Sequence, residues 1–171
     1  MVIDFKANAD TRNAAKRAWD AAAAVLDPEV PAVTVAELGI LRDVRIDDAG
    51  RAVAKVTPTY SGCPAVLAIE MAIETALAKA GFDAVIERVI TPPWTTDWIT
   101  EDGRAKLRAY GIAPPVKAAS SPRALFGEVT VDCPQCGSSN TKKISEFGST
   151  ACKAQYQCRD CAEPFDYFKC I

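Results

Sequence analysis

The sequence predicts an α/β (α+β) protein: a small three-stranded sheet packed by helices, followed by a cysteine-rich β module. Two observations lead to this prediction. Helical and strand-like apolar patterns alternate over roughly the first 110 residues, whereas six of the seven cysteines lie within residues 128–171. So short a segment rarely folds without a cross-link or a metal. We therefore divide the chain into a domain of residues 1–112, a linker of residues 113–127 and a module of residues 128–171.

The first domain opens with a predicted helix at residues 10–26, where apolar side chains recur at helical spacing. Asp27-Pro28 ends this helix, because the residue before a proline avoids helical backbone angles. Two strands follow at residues 40–46 and 52–57, joined by a turn at residues 47–50.

A second helix is predicted for residues 64–80, because proline favours the first helical turn and glycine favours the position after the last. A third strand at residues 84–90 completes the sheet, and a short helix at residues 101–110 follows it. Residues 113–127 contain three prolines and no clear period, which is typical of a linker.

The cysteines of the module form two Cys-x-x-Cys pairs, Cys133 with Cys136 and Cys158 with Cys161, with 21 residues between the pairs. Each pair can present two thiolates to one ion, and four thiolates complete the tetrahedral coordination that zinc prefers. Such a site leaves no open position for a substrate. We therefore predict a zinc-ribbon β module with a structural metal, iron being the alternative ion. Two disulfides would conflict with a reducing compartment.

Cys152 and Cys170 lie outside this set of four ligands. We expect the second pair of cysteines to turn a hairpin with Cys158 opposite Pro164. Antiparallel pairing then places Cys152 opposite Cys170, within reach of a disulfide or a shared metal. The alternative is that both are small buried apolar side chains. Residues 128–171 carry five Lys or Arg and six Asp or Glu, so the module is a poor binder of nucleic acid.

Cys63 stands alone in the first domain, between Gly62 and Pro64. Because proline favours the first helical position, we expect Cys63 to cap the helix, and the helix dipole to stabilise its thiolate. Such a thiolate suits exchangeable iron, although a lone cysteine is also commonly a buried apolar residue. Asp27 and Glu29 flank a rigid proline and supply two carboxylates; the alternative is a helix stop with a solvated acid.

The composition excludes several classes of protein. The chain has no histidine, so it can form neither a Ser-His-Asp or Cys-His catalytic site nor a His-ligated metal site. A net charge of −2 gives no basic surface for nucleic acid or an anionic membrane. The first residues lack the pattern of a signal peptide, and no apolar stretch is long enough for a membrane span. We therefore expect a cytoplasmic protein with neither nucleic-acid nor membrane partners.

The first domain resembles the SufT-like iron–sulfur assembly domain over residues 10–92. Three segments carry the resemblance: Asp27-Pro-Glu-Val-Pro31, Glu37-Leu-Gly-Ile-Leu41 and Thr57-Pro-Thr-Tyr-Ser-Gly-Cys-Pro64. Glu37 stands where many members of that family have Asp. The resemblance implies that Cys63, Asp27 and Glu29 bind a transient iron–sulfur cluster or iron.

Three later segments make the resemblance specific to one family: Pro92-Pro-Trp-Thr-Thr-Asp-Trp98, Tyr110-Gly-Ile-Ala-Pro-Pro115 and Phe165-Asp-Tyr-Phe-Lys-Cys170. With them, the whole chain is similar to the family of D proteins of bacterial phenylacetyl-CoA epoxidase systems. The similarity implies a maturation task in aerobic phenylacetate degradation, which supplies or repairs an iron–sulfur or di-iron centre. The implied partners are the oxygenase and reductase subunits of the epoxidase. A second copy of this chain, forming a homodimer, is a further possible partner.

The leading interpretation is an accessory assembly factor of this oxygenase rather than an enzyme. A rubredoxin-like electron-transfer component is the first alternative, but Ala162 stands where glycine would follow the last cysteine of the second pair. A subunit that only organises the oxygenase complex is the second alternative, and it should tolerate loss of Cys63.

Overall fold

The computed structural model describes residues 5–60, 62–116 and 130–169, with side chains described from residue 10 onward. The chain forms two compact units, Met1–Pro93 and Trp94–Ile171. We call them the N-terminal unit and the C-terminal unit and describe each by itself.

The N-terminal unit contains the three-stranded sheet that the sequence predicts. Strands β1 (Leu41–Ile46) and β2 (Ala52–Val56) pair antiparallel, and β3 (Ala84–Arg88) pairs parallel to β2. The order is therefore β1-β2-β3. Helix α2 (Val66–Lys79) connects β2 to β3, because two parallel strands need a crossover between them.

Helix α1 (Phe5–Ala23) packs on β1 and α2. It ends three residues before the predicted end at residue 26, because Leu26 forms an antiparallel bridge with Thr34. In addition, the Val35 N–H donates to the carbonyl oxygen of Val25 at 2.9 Å. These contacts draw the chain after α1 into extended pairing with a loop, so Leu26 is exposed rather than part of the apolar helix face.

The C-terminal unit holds a 3₁₀ helix (Thr96–Trp98), helix α3 (Glu101–Ala109) and a four-stranded sheet. The strands are β4 (Ile112–Ala113), β5 (Thr141–Ser145), β6 (Lys153–Cys158) and β7 (Pro164–Phe168), in the order β4-β7-β6-β5. Strand β6 pairs antiparallel with both β5 and β7, whereas β4 pairs parallel to β7. Val131, Tyr156 and Tyr167 belong to the buried core of this sheet.

The division between the units falls after Pro93, whereas the sequence pattern predicts it at residue 112. Ile112 and Ala113, expected at the end of the first domain and the start of a linker, pair with Asp166 and Tyr167 of β7. The apolar period of α3 predicts a helix but does not reveal which sheet the next residues join. Most of the predicted linker, residues 117–127, lies outside the described residues.

No helix within the described residues is both long enough and apolar enough to span a membrane.

Candidate metal centres

Four sulfur atoms meet in the C-terminal unit, from Cys133, Cys136, Cys158 and Cys161, and all lie within 4.8 Å of one another. The Sγ atoms of Cys133 and Cys161 are 3.7 Å apart, and those of Cys136 and Cys158 are 3.6 Å apart. A zinc ion with bonds of about 2.3 Å to four tetrahedral sulfurs requires sulfur separations of about 3.8 Å. The four thiols therefore fit one tetrahedral ion and leave no ligand position open.

Each pair of cysteines lies in a tight turn that ends with a residue of positive φ. Gly137 follows Cys136 with φ of 77°, and its N–H donates to the Cys133 carbonyl oxygen at 2.9 Å. In the second turn Ala162 takes the same region, with φ of 64°. An alanine there costs ~1 kcal/mol relative to glycine, because its Cβ crowds the following carbonyl oxygen. The alanine therefore strains the second turn, which keeps a positive φ at this position.

The backbone of the second turn sets the charge state of its two thiols. The Cys161 N–H lowers the pKa of Cys158 to about 7; burial opposes this shift and the Asp160 N–H adds to it. The Glu163 N–H lowers the pKa of Cys161, but burial and the neighbouring sulfurs outweigh it and raise that pKa to about 12. Cys158 is therefore the readiest thiolate, whereas Cys161 needs a cation to displace its proton.

Hydrogen bonds to the Asp160 carboxylate join the two turns, and the sequence analysis did not predict them. Asp160 accepts a hydrogen bond from the Asn140 side-chain amide at 2.7 Å and another from the Ser138 hydroxyl. The Arg159 N–H donates to the Asn140 carbonyl oxygen at 2.8 Å. The two side-chain hydrogen bonds to Asp160 lower its pKa, Ser138 contributing more than Asn140. In the sequence, Asp160 stands between Cys158 and Cys161. This position next to two metal-binding candidates was the signal that could have revealed its role.

In the N-terminal unit, Cys63 lies at the start of α2 but does not cap it. The N-cap is Ala65, and the Val66 N–H donates to the Cys63 carbonyl oxygen at 3.3 Å. The prediction that Cys63 itself is the N-cap is therefore wrong by two residues, since Pro64 and Ala65 form a turn ahead of the helix. Cys63 is partly exposed, so it is not one of the buried apolar residues.

The thiol of Cys63 has a raised pKa, contrary to the thiolate expected from the sequence. Burial is the largest cause, and the negative charges of Glu29 and Asp27 add to it. The N–H groups of Ala65 and Val66 lower the pKa, as a helix start should, but these two contributions are outweighed. The structure thus brings Cys63 near both predicted carboxylates, although Asp27 and Cys63 are far apart in sequence.

The two carboxylates differ in their surroundings. Asp27 is buried, and its Oδ1 accepts N–H groups from Glu29 at 2.9 Å and Val30 at 2.8 Å. Glu29 is half-buried on the same loop. The alternative of a solvated acid is therefore wrong for Asp27, which holds the loop in shape by bonding its own backbone.

Glu37 has a local role in shaping the same loop. Its Oε2 accepts the Thr34 N–H at 2.8 Å, and its own N–H donates to the Thr34 hydroxyl at 3.1 Å. This reciprocal pair is the capping box of a single helical turn. It was readable in the sequence as Thr-x-x-Glu.

The expected pairing of Cys152 with Cys170 falls partly outside the described residues, because Cys170 is not among them. The register of the hairpin differs by one residue from the expectation: Gln157, not Cys158, pairs with Pro164. In this register the Lys169 N–H donates to the Cys152 carbonyl oxygen at 2.9 Å. Cys152 is buried, with its Sγ 3.0 Å from the Thr150 hydroxyl oxygen.

Comparisons with known proteins match both parts of the chain. Residues 16–87 match the family model described as iron–sulfur cluster assembly protein, and residues 117–169 match the PaaD zinc beta ribbon domain. A crystal structure of a domain of unknown function, DUF59, from Bacillus anthracis superposes with a TM-score of 0.54 at 24% identity. It covers 58% of this chain and 96% of that one, and it supports the fold.

Two curated proteins are similar in sequence. A candidate D protein of the 1,2-phenylacetyl-CoA epoxidase of Escherichia coli (strain K12) is 48% identical over 154 residues, which cover 90% of this chain and 91% of that protein. The Fe-S protein maturation auxiliary factor SufT of Staphylococcus aureus (strain USA300) is 32% identical over 85 residues, 48% of this chain and 96% of that protein.

The fold and the two cysteine sites thus define a class of protein in which an iron–sulfur assembly domain precedes a zinc β-ribbon. Within that class, the chain belongs to the PaaD family, the D proteins of phenylacetyl-CoA epoxidases.

Proposed function

We propose that this protein is a cytoplasmic maturation factor that delivers iron, or an iron–sulfur species, to a metal centre of a phenylacetyl-CoA epoxidase. The observation that carries the proposal is the grouping of the Cys63 thiol with the charges of Glu29 and Asp27. This group lies within the segment that matches the iron–sulfur assembly family. The relatives named for the epoxidase and for SufT support the same role.

The chemistry of such a site suits transfer rather than storage. A protonated thiol beside two negative charges binds anions poorly and favours the binding of a cation. The cation displaces the thiol proton as it binds. In this proposal Glu29, which is half-exposed, contacts the cargo together with Cys63. Asp27, whose Oδ1 bonds its own loop, acts through its charge and holds the loop.

A single thiolate leaves most positions of an iron ion or cluster to other ligands. The cargo would therefore remain open to ligands of a receiving protein, whereas four thiolates would retain it. We assign the receiving sites to the oxygenase or reductase subunit of the epoxidase. A second copy of this chain is the other source of ligands, which would make the carrier a homodimer.

The ribbon has a different task in this proposal, namely to hold one structural zinc through Cys133, Cys136, Cys158 and Cys161. Its sulfur separations fit the ion. Zinc there would supply folding energy and no reaction chemistry.

A rubredoxin-like role is the second candidate, and one observation favours it. Ala162 adopts the backbone region that glycine takes at Gly137, so the absence of a second glycine no longer counts against iron in the ribbon. Metal analysis with an absorption spectrum of anaerobically purified protein distinguishes the two ions. Colourless protein with one zinc per chain supports the structural role, and a red, reducible protein supports electron transfer.

The test of the maturation role is epoxidase produced in cells that carry Cys63→Ser. This substitution keeps the side-chain volume, so we expect normal amounts of this protein and of both epoxidase subunits, with iron missing from one subunit. Cys152→Ser serves as the matched control, because Cys152 is a non-ligand cysteine of the C-terminal unit. Full iron content and full growth on phenylacetate with Cys63→Ser would contradict the proposal and favour the organising subunit.

A further inference from the structure

The C-terminal unit contains a cavity of about 420 Å³ that the maturation role does not use. One wall is α3, which contributes Arg104 and Arg108, and another is the segment of residues 113–116 after β4. Asp132, just ahead of the ribbon, also lines it. The volume is within the usual range for small-molecule sites, ~300–1,000 Å³.

Arg104 places an uncompensated positive charge in the wall of this cavity. Its side chain is only 8% exposed, and its two terminal nitrogens donate to the carbonyl oxygens of Pro115 and Thr96, each at 2.6 Å. Its Nε has no hydrogen-bond partner. Among the described residues no carboxylate forms an ion pair with it. Buried guanidinium groups are normally paired with an anion, so this one lacks its usual counter-charge.

Arg108 lies one helical turn further along α3 and borders the same cavity. It is exposed, and no hydrogen bond or ion pair of its side chain is found within the described part of the chain. Carbonyl oxygens take two of the five N–H donors of Arg104, one on each terminal nitrogen, so its buried guanidinium contributes chiefly its charge. Arg108 still has its donors available for a bidentate contact with a carboxylate or phosphate.

Two acidic residues, Glu101 and Asp132, also line the cavity and oppose an anion there. Both are exposed, whereas Arg104 is buried. Water and salt screen exposed charges far more than buried ones. The buried charge of Arg104 is therefore screened less than either acidic charge and makes the cavity more favourable for an anion. The remaining lining from residues 113–116 is alanine, proline and valine, which suits an apolar body.

From this arrangement we propose that the cavity binds a small organic anion, with its carboxylate or phosphate on Arg108 and its apolar body against residues 113–116. The buried charge of Arg104 strengthens this contact. The site lies wholly within the C-terminal unit and is independent of Cys63.

The test is a titration of the zinc-loaded full chain with benzoate and, separately, with phenyl phosphate, followed by backbone NMR shifts of Ala105, Ala113 and Val116. We expect saturable shifts with at least one probe, and the stronger probe identifies the anionic group. Benzyl alcohol, which has the apolar body without the charge, should bind at least tenfold more weakly, since it cannot form the charge-assisted contact with Arg108.

Matched variants locate the site. Arg108→Ala should weaken the better probe about tenfold or more, whereas Glu101→Gln should strengthen it by removing an opposing charge. Lys106→Ala is the control, because Lys106 carries a positive charge on α3 but does not line the cavity. The proposal fails if neither probe saturates, if Arg108→Ala binds as the wild type does, or if inorganic phosphate matches phenyl phosphate, which would indicate an adventitious ion only.

Discussion

The two cysteine sites of this protein differ in how completely they surround an ion. In the C-terminal unit four sulfurs lie within 4.8 Å of one another, and two of the four cysteines are buried. In the N-terminal unit a single, partly exposed thiol faces the charges of two carboxylates. The first arrangement, which we call the closed site, offers enough thiols to fill the four positions of a tetrahedral ion, whereas the second, which we call the open site, offers one thiol. Under the proposed function, this difference in the number of ligands would separate a permanent metal from a transferable one.

The largest expected effect is on the closed site. Cys158→Ala removes one of the four thiols that we propose hold zinc, and structural zinc contributes ~10–16 kcal/mol to the folding of small zinc modules. We therefore expect residues 130–169 to lose their fold. Limited proteolysis and zinc content measure this directly. Cys63→Ala is the control and should leave zinc content unchanged. If the ribbon remained protease-resistant after removal of its metal, the metal would not be needed for folding, and the closed site would not be a structural one.

A smaller effect is expected from the two turns that form the closed site. Gly137→Ala should destabilise the ribbon by ~1 kcal/mol, and Ala162→Gly should stabilise it by a similar amount, because both positions have positive φ. A Cβ at Gly137 would have no atom within 4 Å, so backbone strain alone is tested there. Thermal unfolding of the zinc-loaded protein measures both changes. Equal and opposite shifts support strain at Ala162; no gain from Ala162→Gly argues against it.

The smallest effect concerns the open site and its pH dependence. Burial and the charges of Glu29 and Asp27 raise the pKa of Cys63, so its thiolate forms at higher pH than that of an ordinary thiol. The alkylation rate of Cys63 should therefore still be increasing at a pH where the rate of an unshifted thiol has reached its plateau. Glu29→Gln removes one charge, so the profile should move to lower pH and the rate at pH 8 should increase about two- to threefold.

Mass mapping of the peptide that contains Cys63 follows this alkylation without interference from the ribbon. Glu74→Gln, on an exposed part of α2, is the matched control and should leave the profile unchanged. An identical profile for Glu29→Gln would show that burial alone sets the pKa, and the carboxylates would then have no part in the open site.

The amino-acid sequence determined the features that depend on residues close together in the chain. The spacing of Cys133 with Cys136, and of Cys158 with Cys161, predicted that these four thiols would meet, because each pair forms within one turn. The helices and strands of the N-terminal unit also followed from their apolar periods, with ends shifted by a few residues. Such local patterns predict structure well, because few contacts with distant segments compete with them.

Only the tertiary structure decided features that add contributions from distant segments. It brought Glu29 and Asp27 to Cys63 and reversed the expected direction of the thiol pKa, because burial and two charges outweigh the helix N–H groups. It moved the boundary between the units to Pro93, since β4 pairs with β7 near the end of the chain. Burial and electrostatic interactions depend on which segments meet in space, and sequence periodicity carries no information about that choice.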